Sequence, residues 1–180
     1  MTTITLYDNT HLTGNHVVID KDTPDLAGEN FAEKAQSLEV NGDPWIAFTR
    51  KHYLGDFSVF ESGKHNTIRL RNSFFSVRKT GPLKDPEITV YEDVNYQGKH
   101  QKLTSGVPSL CSIGMSRISS YKTHSGVWIL YETVNYNNQM EVVPVAGDNV
   151  QDITKLTNKH ILSLKPLEDC DLSNLNNIVS

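Results

Sequence analysis

The sequence predicts an all-β protein of two homologous domains, each holding two copies of one structural unit, and three observations point to it. The first is an octet that recurs four times: Tyr7-Asp8-Asn9-Thr10-His11-Leu12-Thr13-Gly14, Phe48-Thr49-Arg50-Lys51-His52-Tyr53-Leu54-Gly55, Tyr91-Glu92-Asp93-Val94-Asn95-Tyr96-Gln97-Gly98 and Tyr131-Glu132-Thr133-Val134-Asn135-Tyr136-Asn137-Asn138. Its first aromatic residues step by 41, 43 and 40 residues, the signature of an internal structural repeat. The second is a hydroxyl residue that opens an alternating strand later in each copy: Ser37, Thr67, Ser120 and Ser163. The third is Trp45, three residues before Phe48, matched by Trp128 three before Tyr131 and by no Trp in the other two copies. The units therefore alternate as A-B-A-B, which makes two domains of one A and one B unit each.

The octet reads as a folded hairpin corner. Two rings five residues apart (Phe48 and Tyr53, Tyr91 and Tyr96, Tyr131 and Tyr136) bracket a polar tetrad, and Gly14, Gly55 or Gly98 follows where a sharply turning chain needs positive φ. Asn138 fits the same place in the fourth copy, because Asn visits the left-handed region more readily than other non-glycine residues. In the first copy Leu12 replaces the second ring, so ring packing against Tyr7 inside that corner is lost. The hydroxyl residues are expected to hydrogen-bond the backbone of the folded hairpin, whose polar groups would otherwise be buried unpaired.

In chain order, residues 3–7 alternate as a half-buried strand, and residues 17–19 continue after the Gly14 corner. Residues 24–35 are looser and accommodate a short helical turn before the strand at residues 37–40, with residues 107–110 in the matching place of the third copy. Asn41-Gly42-Asp43-Pro44 and Thr123-His124-Ser125-Gly126 are turns between A and B units. The first domain is read as residues 1–81 (units 1–42 and 43–81), a Pro-bracketed linker as 82–86, the second domain as 87–167 (units 87–126 and 127–167), and a tail as 168–180. In the tail Leu172, Leu175 and Ile178 have the spacing of one or two helical turns, beside the alternative of a loosely ordered terminus.

These octets, hydroxyls and alternating tryptophans make the chain resemble the βγ-crystallins over roughly residues 3–167, nearer to non-lens members such as the amphibian epidermis differentiation-specific type. The resemblance implies Greek-key β-sandwiches of two four-stranded antiparallel sheets, the two units of a domain exchanging a strand. It also raises calcium, which the family holds in loops of the pattern Asn/Asp-Asn/Asp-x-x-Ser/Thr-Ser. The windows here are residues 32–37, 62–67, 115–120 and 158–163, and none matches in full. The third keeps the Ser-Ser ending but carries Arg117, and the fourth has Leu162 in place of a ligand hydroxyl. If any loop retains weak affinity it is the third, through the Ser119 hydroxyl, the Arg117 carbonyl and the Glu132 backbone.

Composition narrows the function. A net charge of −4 with interspersed signs offers no basic face for nucleic acid, and no apolar run reaches the length of a membrane helix. His11, His16, His52, His65, His100, His124 and His160 lack zinc-site spacing, although His16 and His100 stand at equivalent places, two after the corner Gly. Cys111 and Cys170 are too few and too irregular for a disulfide framework, and the segment from Met1 has no secretory pattern, so reduced thiols and a cytoplasmic location are expected. No phosphate loop, nucleophile elbow or metalloprotease motif is present, so no enzyme is expected. The expectation is a non-enzymatic structural or interaction protein with no cofactor beyond weak calcium. A calcium-binding module and a component of a membrane-acting, pore-forming complex are the alternatives, with protein partners or self-association left open.

Overall fold

The computed structural model describes residues 1–168, and residues 1–167 of it fall into two compact units, Met1–Gly81 and Pro82–Leu167. The first unit contains strands β1 (Thr3–Tyr7), β2 (His16–Ile19), β3 (Ser37–Asn41), β4 (Trp45–Arg50), β5 (Leu54–Phe60), β6 (Gly63–His65) and β7 (Ser76–Lys79). They make a four-stranded sheet in the order β2-β1-β3-β6 and a three-stranded sheet β5-β4-β7, with every pairing antiparallel. The second unit repeats the plan with β8 (Glu87–Asp93), β9 (Gln97–Leu103), β10 (Ser120–Ser125), β11 (Trp128–Thr133), β12 (Asn137–Gln139), β13 (Asn149–Val150) and β14 (Ser163–Pro166), ordered β13-β10-β8-β9 and β12-β11-β14. All-β architecture and Greek-key pairing thus hold in both units.

Strand exchange is unequal. The second repeat lends β6 to the first repeat's β3, and the fourth lends β13 to the third's β10. In return the first repeat gives only Thr23, bridged to Val77 by backbone hydrogen bonds of 2.9 and 3.1 Å, and the third gives only Val107, bridged to Leu164 at 2.8 and 3.2 Å. The expected second four-stranded sheet is therefore three strands and one bridge. The reason is local: Pro24 follows Thr23 and Pro108 follows Val107, and a proline has no N–H with which to continue a ladder. The chain turns instead into one-turn 3-10 helices, Leu26–Glu29 capped by Asp25 and Leu110–Ile113 capped by Ser109.

Each alternating strand turns its apolar face inward. Ile4, Leu6, Leu38, Trp45, Ala47, Phe60 and Phe74 are among the residues that close one core in the first unit. Trp128 is as completely buried as Trp45 in its own unit. A buried indole N–H needs an acceptor, and Trp45 Nε1 donates to Thr2 Oγ1 at 3.0 Å while Trp128 Nε1 donates to the Ser125 carbonyl at 3.3 Å.

One strand was misplaced by sequence reasoning. Thr67-Ile68-Arg69-Leu70 is not a strand: Thr67 lies in a bend, Leu70 has φ 62°, and Arg69 turns inward to donate from Nη1 to the Phe57 carbonyl at 3.0 Å. The strand in that role is β7, opened by Ser76. Its Arg78 and Lys79 each lie over a ring, Tyr53 and Trp45 respectively. The segment read as a linker belongs with the second unit, where the Asp85 carbonyl accepts from Ser125 Oγ at 2.5 Å. The helical turn expected around Leu172, Leu175 and Ile178 and the thiol of Cys170 lie outside the described residues. Cys111 is an exposed free thiol.

Candidate functional site

The feature built most consistently is the hairpin corner, and all four copies share one wiring scheme. A serine hydroxyl donates to the carbonyl of the third octet residue: Ser37 to Asn9, Ser76 to Arg50, Ser120 to Asp93 and Ser163 to Thr133, each at 2.6 Å. The same oxygen accepts from the N–H of the sixth, Leu12, Tyr53, Tyr96 or Tyr136, at 3.0 or 3.1 Å. All four serines are fully buried, and each joins two backbone groups of its corner from that buried position. The corner residue of the second repeat is thus Ser76, not Thr67. Ser76 lies 28 residues after Phe48, close to the intervals of 30, 29 and 32 in the other copies, whereas Thr67 lies at 19, so the spacing carried the signal.

The fold of the corner explains why such bracing is needed. The fifth and sixth octet residues are consecutive left-handed residues in every copy, with φ from 56° to 62°: His11 and Leu12, His52 and Tyr53, Asn95 and Tyr96, Asn135 and Tyr136. Large side chains there are strained. The eighth residue is also left-handed, at φ 77° for Gly98 and 56° for Asn138. A second brace comes from the partner repeat. The N–H of the fifth residue donates to the carbonyl of Asn66, Pro24, Gln151 or Pro108 in turn, at 2.7 to 2.8 Å. Two of those carbonyls belong to the prolines that end the exchanged strands, so one residue both stops a ladder and anchors a corner.

Rings and cations complete the corners. Phe48 with Tyr53, Tyr91 with Tyr96 and Tyr131 with Tyr136 pack edge-on at centroid distances of 5.9, 5.6 and 5.7 Å. A cation two residues after the buried serine covers the second ring: Arg78 over Tyr53 at 4.8 Å, Lys122 over Tyr96 at 4.4 Å and Lys165 over Tyr136 at 5.3 Å. In the first copy Leu12 has no ring to cover, the matching strand residue is Glu39, and Tyr7 packs on His16 at 5.3 Å. His100, the equivalent of His16, packs on Tyr91 at 5.5 Å. Sequence reasoning missed the cation, which could be read from its fixed offset after Ser76, Ser120 and Ser163.

The calcium windows contain fixed protein cations. In the third, Arg117 Nε donates to the Glu92 carbonyl at 3.0 Å, its guanidinium ion-pairs with Asp93, and Ser116 Oγ donates to Glu92 Oε2 at 3.0 Å. In the fourth, Lys159 pairs with Glu132 at 2.9 Å. Of the tentative ligands, Arg117 therefore turns its side chain to the third corner and Glu132 turns its own to the fourth window, while the Ser119 backbone is bonded to Tyr91 and Ile153. With Ser76 as the true terminus, the second window becomes residues 71–76 and puts Phe75 where a ligand hydroxyl belongs. A hard cation wants six to eight oxygens. A guanidinium and an ammonium group hold corner oxygens at the third and fourth windows, so those two loops fit calcium poorly. Among the described residues no three His, Cys, Asp or Glu side chains cluster as a metal site.

Two capping carboxylates and one ring are electrostatically perturbed. Asp25 is held below the usual carboxylate range by the Ala27 N–H and then by Lys51, and Asp152 by the Thr154 hydroxyl and N–H. Burial pushes the Tyr136 phenol up. Among the described residues no helix is long and apolar enough to cross a membrane.

Comparison with known proteins agrees with this geometry. An epidermal differentiation-specific protein of Cynops pyrrhogaster is 34% identical over 131 residues, 72% of this chain and 39% of that one, so the chain spans well under half of that relative. Beta-crystallin B3 of Gallus gallus is 27% identical over 151 residues, 77% of this chain and 70% of that protein, and gamma-crystallin N of Rattus norvegicus is 26% identical over 148, or 78% and 81%. The Beta/Gamma crystallin family model matches residues 3–78 and 87–167, both halves of the repeat array, and the chain belongs to that family.

Proposed function

We propose that this chain is a non-enzymatic structural or interaction module of the βγ-crystallin family whose corners are held without calcium. The observation that carries the reading is the pair of protein cations at the calcium windows: Arg117 on the Glu92 carbonyl and the Asp93 carboxylate, and Lys159 on Glu132. A divalent ion would have to displace a tethered cation and then assemble its shell from residues such as Met115, Leu162 and Phe75, which offer no side-chain oxygen. The serine stitches and inter-repeat carbonyls supply the order that a bound ion would otherwise impose.

Such a module suits assembly with protein partners or with itself, because its corners are braced by the serine stitches and by carbonyls of the partner repeat. A calorimetric calcium titration of chelator-stripped protein, with a thermal melt in the presence and absence of the ion, tests the reading. No heat and no change in Tm are expected. Micromolar binding with a clear rise in Tm would replace it with a calcium-responsive module.

A further inference from the structure

The four corners differ in what lies between them and the partner repeat. At the second, Lys51 reaches Asp25 of the first repeat at 3.0 Å. At the fourth, the Tyr136 hydroxyl lies against Gly106 of the third repeat, so closely that a Cβ at Gly106 would come within 2.7 Å of it. The third corner instead borders an open cleft of about 670 Å³, within the range of small-molecule sites. One wall is the tip of the corner, Val94, Asn95 and Tyr96, and the other is the chain of the fourth repeat from Asn149 to Leu156.

The chemistry of the walls is specific. Val94 and Leu156 are apolar yet 41% and 42% exposed. Asn95, Asn149 and Gln151 also line the cleft, and each carries a side-chain amide able to offer both donors and an acceptor. The charges of Asp152 and Lys155 are opposite, and Asp152 Oδ1 is already engaged by the Thr154 N–H at 3.0 Å and hydroxyl at 2.6 Å. The two charged lining residues therefore balance, and the rest of the lining is rich in amides and edged by apolar carbons. Its walls are preformed: Asn95 N–H donates to the Gln151 carbonyl at 2.8 Å and Ile153 N–H to the Ser119 carbonyl at 2.9 Å. Little ordering would be left for a ligand to impose.

We propose that this cleft binds a neutral pyranose sugar, free or at the end of a glycan. Vicinal hydroxyls match paired amide donors and acceptors, and the C–H face of a sugar ring matches the Val94 and Leu156 edge. A phosphate or a carboxylate would find no net positive charge, and a long acyl chain would leave three amides unpaired. This inference stands apart from the calcium-independent reading of the corners, since it uses none of the four calcium windows.

The test is a titration of isotopically labelled full-length protein with glucose, galactose and N-acetylglucosamine, followed by NMR, beside a glycan array probed with the same protein. Millimolar binding is expected, with shifts centred on the side-chain amides of Asn149 and Gln151. Gln151→Ala and Asn149→Ala should each weaken it about tenfold, the scale of one well-made hydrogen bond. Gln151→Ala keeps the backbone carbonyl that anchors the corner, so an unchanged melt would show that the loss is local. Binding of free sugars identifies the ring as the ligand, and array binding alone identifies a longer glycan. No shift with any sugar and no glycan retained, shifts centred elsewhere, or unaltered affinity in both variants would overturn the assignment.

Discussion

The first corner and the other three are folded alike but furnished differently. Corners two to four carry a second ring under a cation from the neighbouring strand, whereas the first has Leu12 and, at the cation's place, Glu39. Yet Leu12 keeps the same left-handed backbone as Tyr53, Tyr96 and Tyr136, and Ser37 makes the same two hydrogen bonds as its counterparts. The backbone stitch is thus the invariant part. Ring and cation form a separable pair on top of it, lost together in the one corner that lacks them.

The largest expected effect tests the invariant part. Ser37→Ala and Ser120→Ala should each cost about 1–3 kcal/mol, since each leaves a carbonyl and an N–H of the corner without their partner at a buried position. Thermal or urea melts that show a similar loss in both would place the stitch ahead of the ring. A near-neutral Ser37→Ala beside a costly Ser120→Ala would instead make the ring and cation the true clamp.

Next comes the eighth position, where Gly98 and Asn138 are natural alternatives. Gly98→Val should cost about 1–2 kcal/mol from the left-handed backbone alone. It must also push aside Asp93, whose Oδ2 would overlap a new Cβ. Gly98→Asn should cost less, and equal melting temperatures for the two variants would show that the left-handed backbone is not what selects the residue.

Restoring the missing pair is a smaller effect. Leu12→Tyr and Glu39→Lys together should be more stabilising than the sum of the single changes by about 0.5–1 kcal/mol, the scale of an exposed cation–π contact. Simple additivity in that double-mutant cycle would mean that ring and cation are independent.

The smallest effect concerns Asp25, which caps a 3-10 turn and pairs with Lys51 of the second corner. Its folded-state pKa lies below the ordinary 3.8, so its contribution is present above that value and lost as pH falls through the folded-state pKa. Asp25→Asn retains a capping oxygen and removes the charge. Its deficit in Tm against the parent protein should therefore shrink as acid melts are carried below pH 3.8. A deficit that stayed constant with pH would assign Asp25 a purely steric role.

Much of this design was legible before any coordinates. The octet, its near-constant period and the alternating tryptophans fix two units of two repeats, because these signals lie in residues close along the chain and recur four times. The serine stitch was legible in three copies. It failed in the second because Thr67-Ile68-Arg69-Leu70 alternates like a strand, and local alternation outweighed the spacing that favours Ser76. The shortening of one exchanged strand in each unit was written in Thr23-Pro24 and Val107-Pro108, though the family expectation of two full sheets concealed it.

By itself, then, the sequence determined the repeat number, the octet positions and the pairing of repeats into two domains, since hydrophobic period and turn chemistry are local properties. Tertiary structure alone decided which side chains meet across the loops. It brought Arg117 onto Glu92 and Asp93, Lys159 onto Glu132, and the prolines' carbonyls onto the corners of partner repeats. Those partners lie more than twenty residues apart, and only the folding of each repeat on itself and, for the proline carbonyls, the packing of two repeats brings them together.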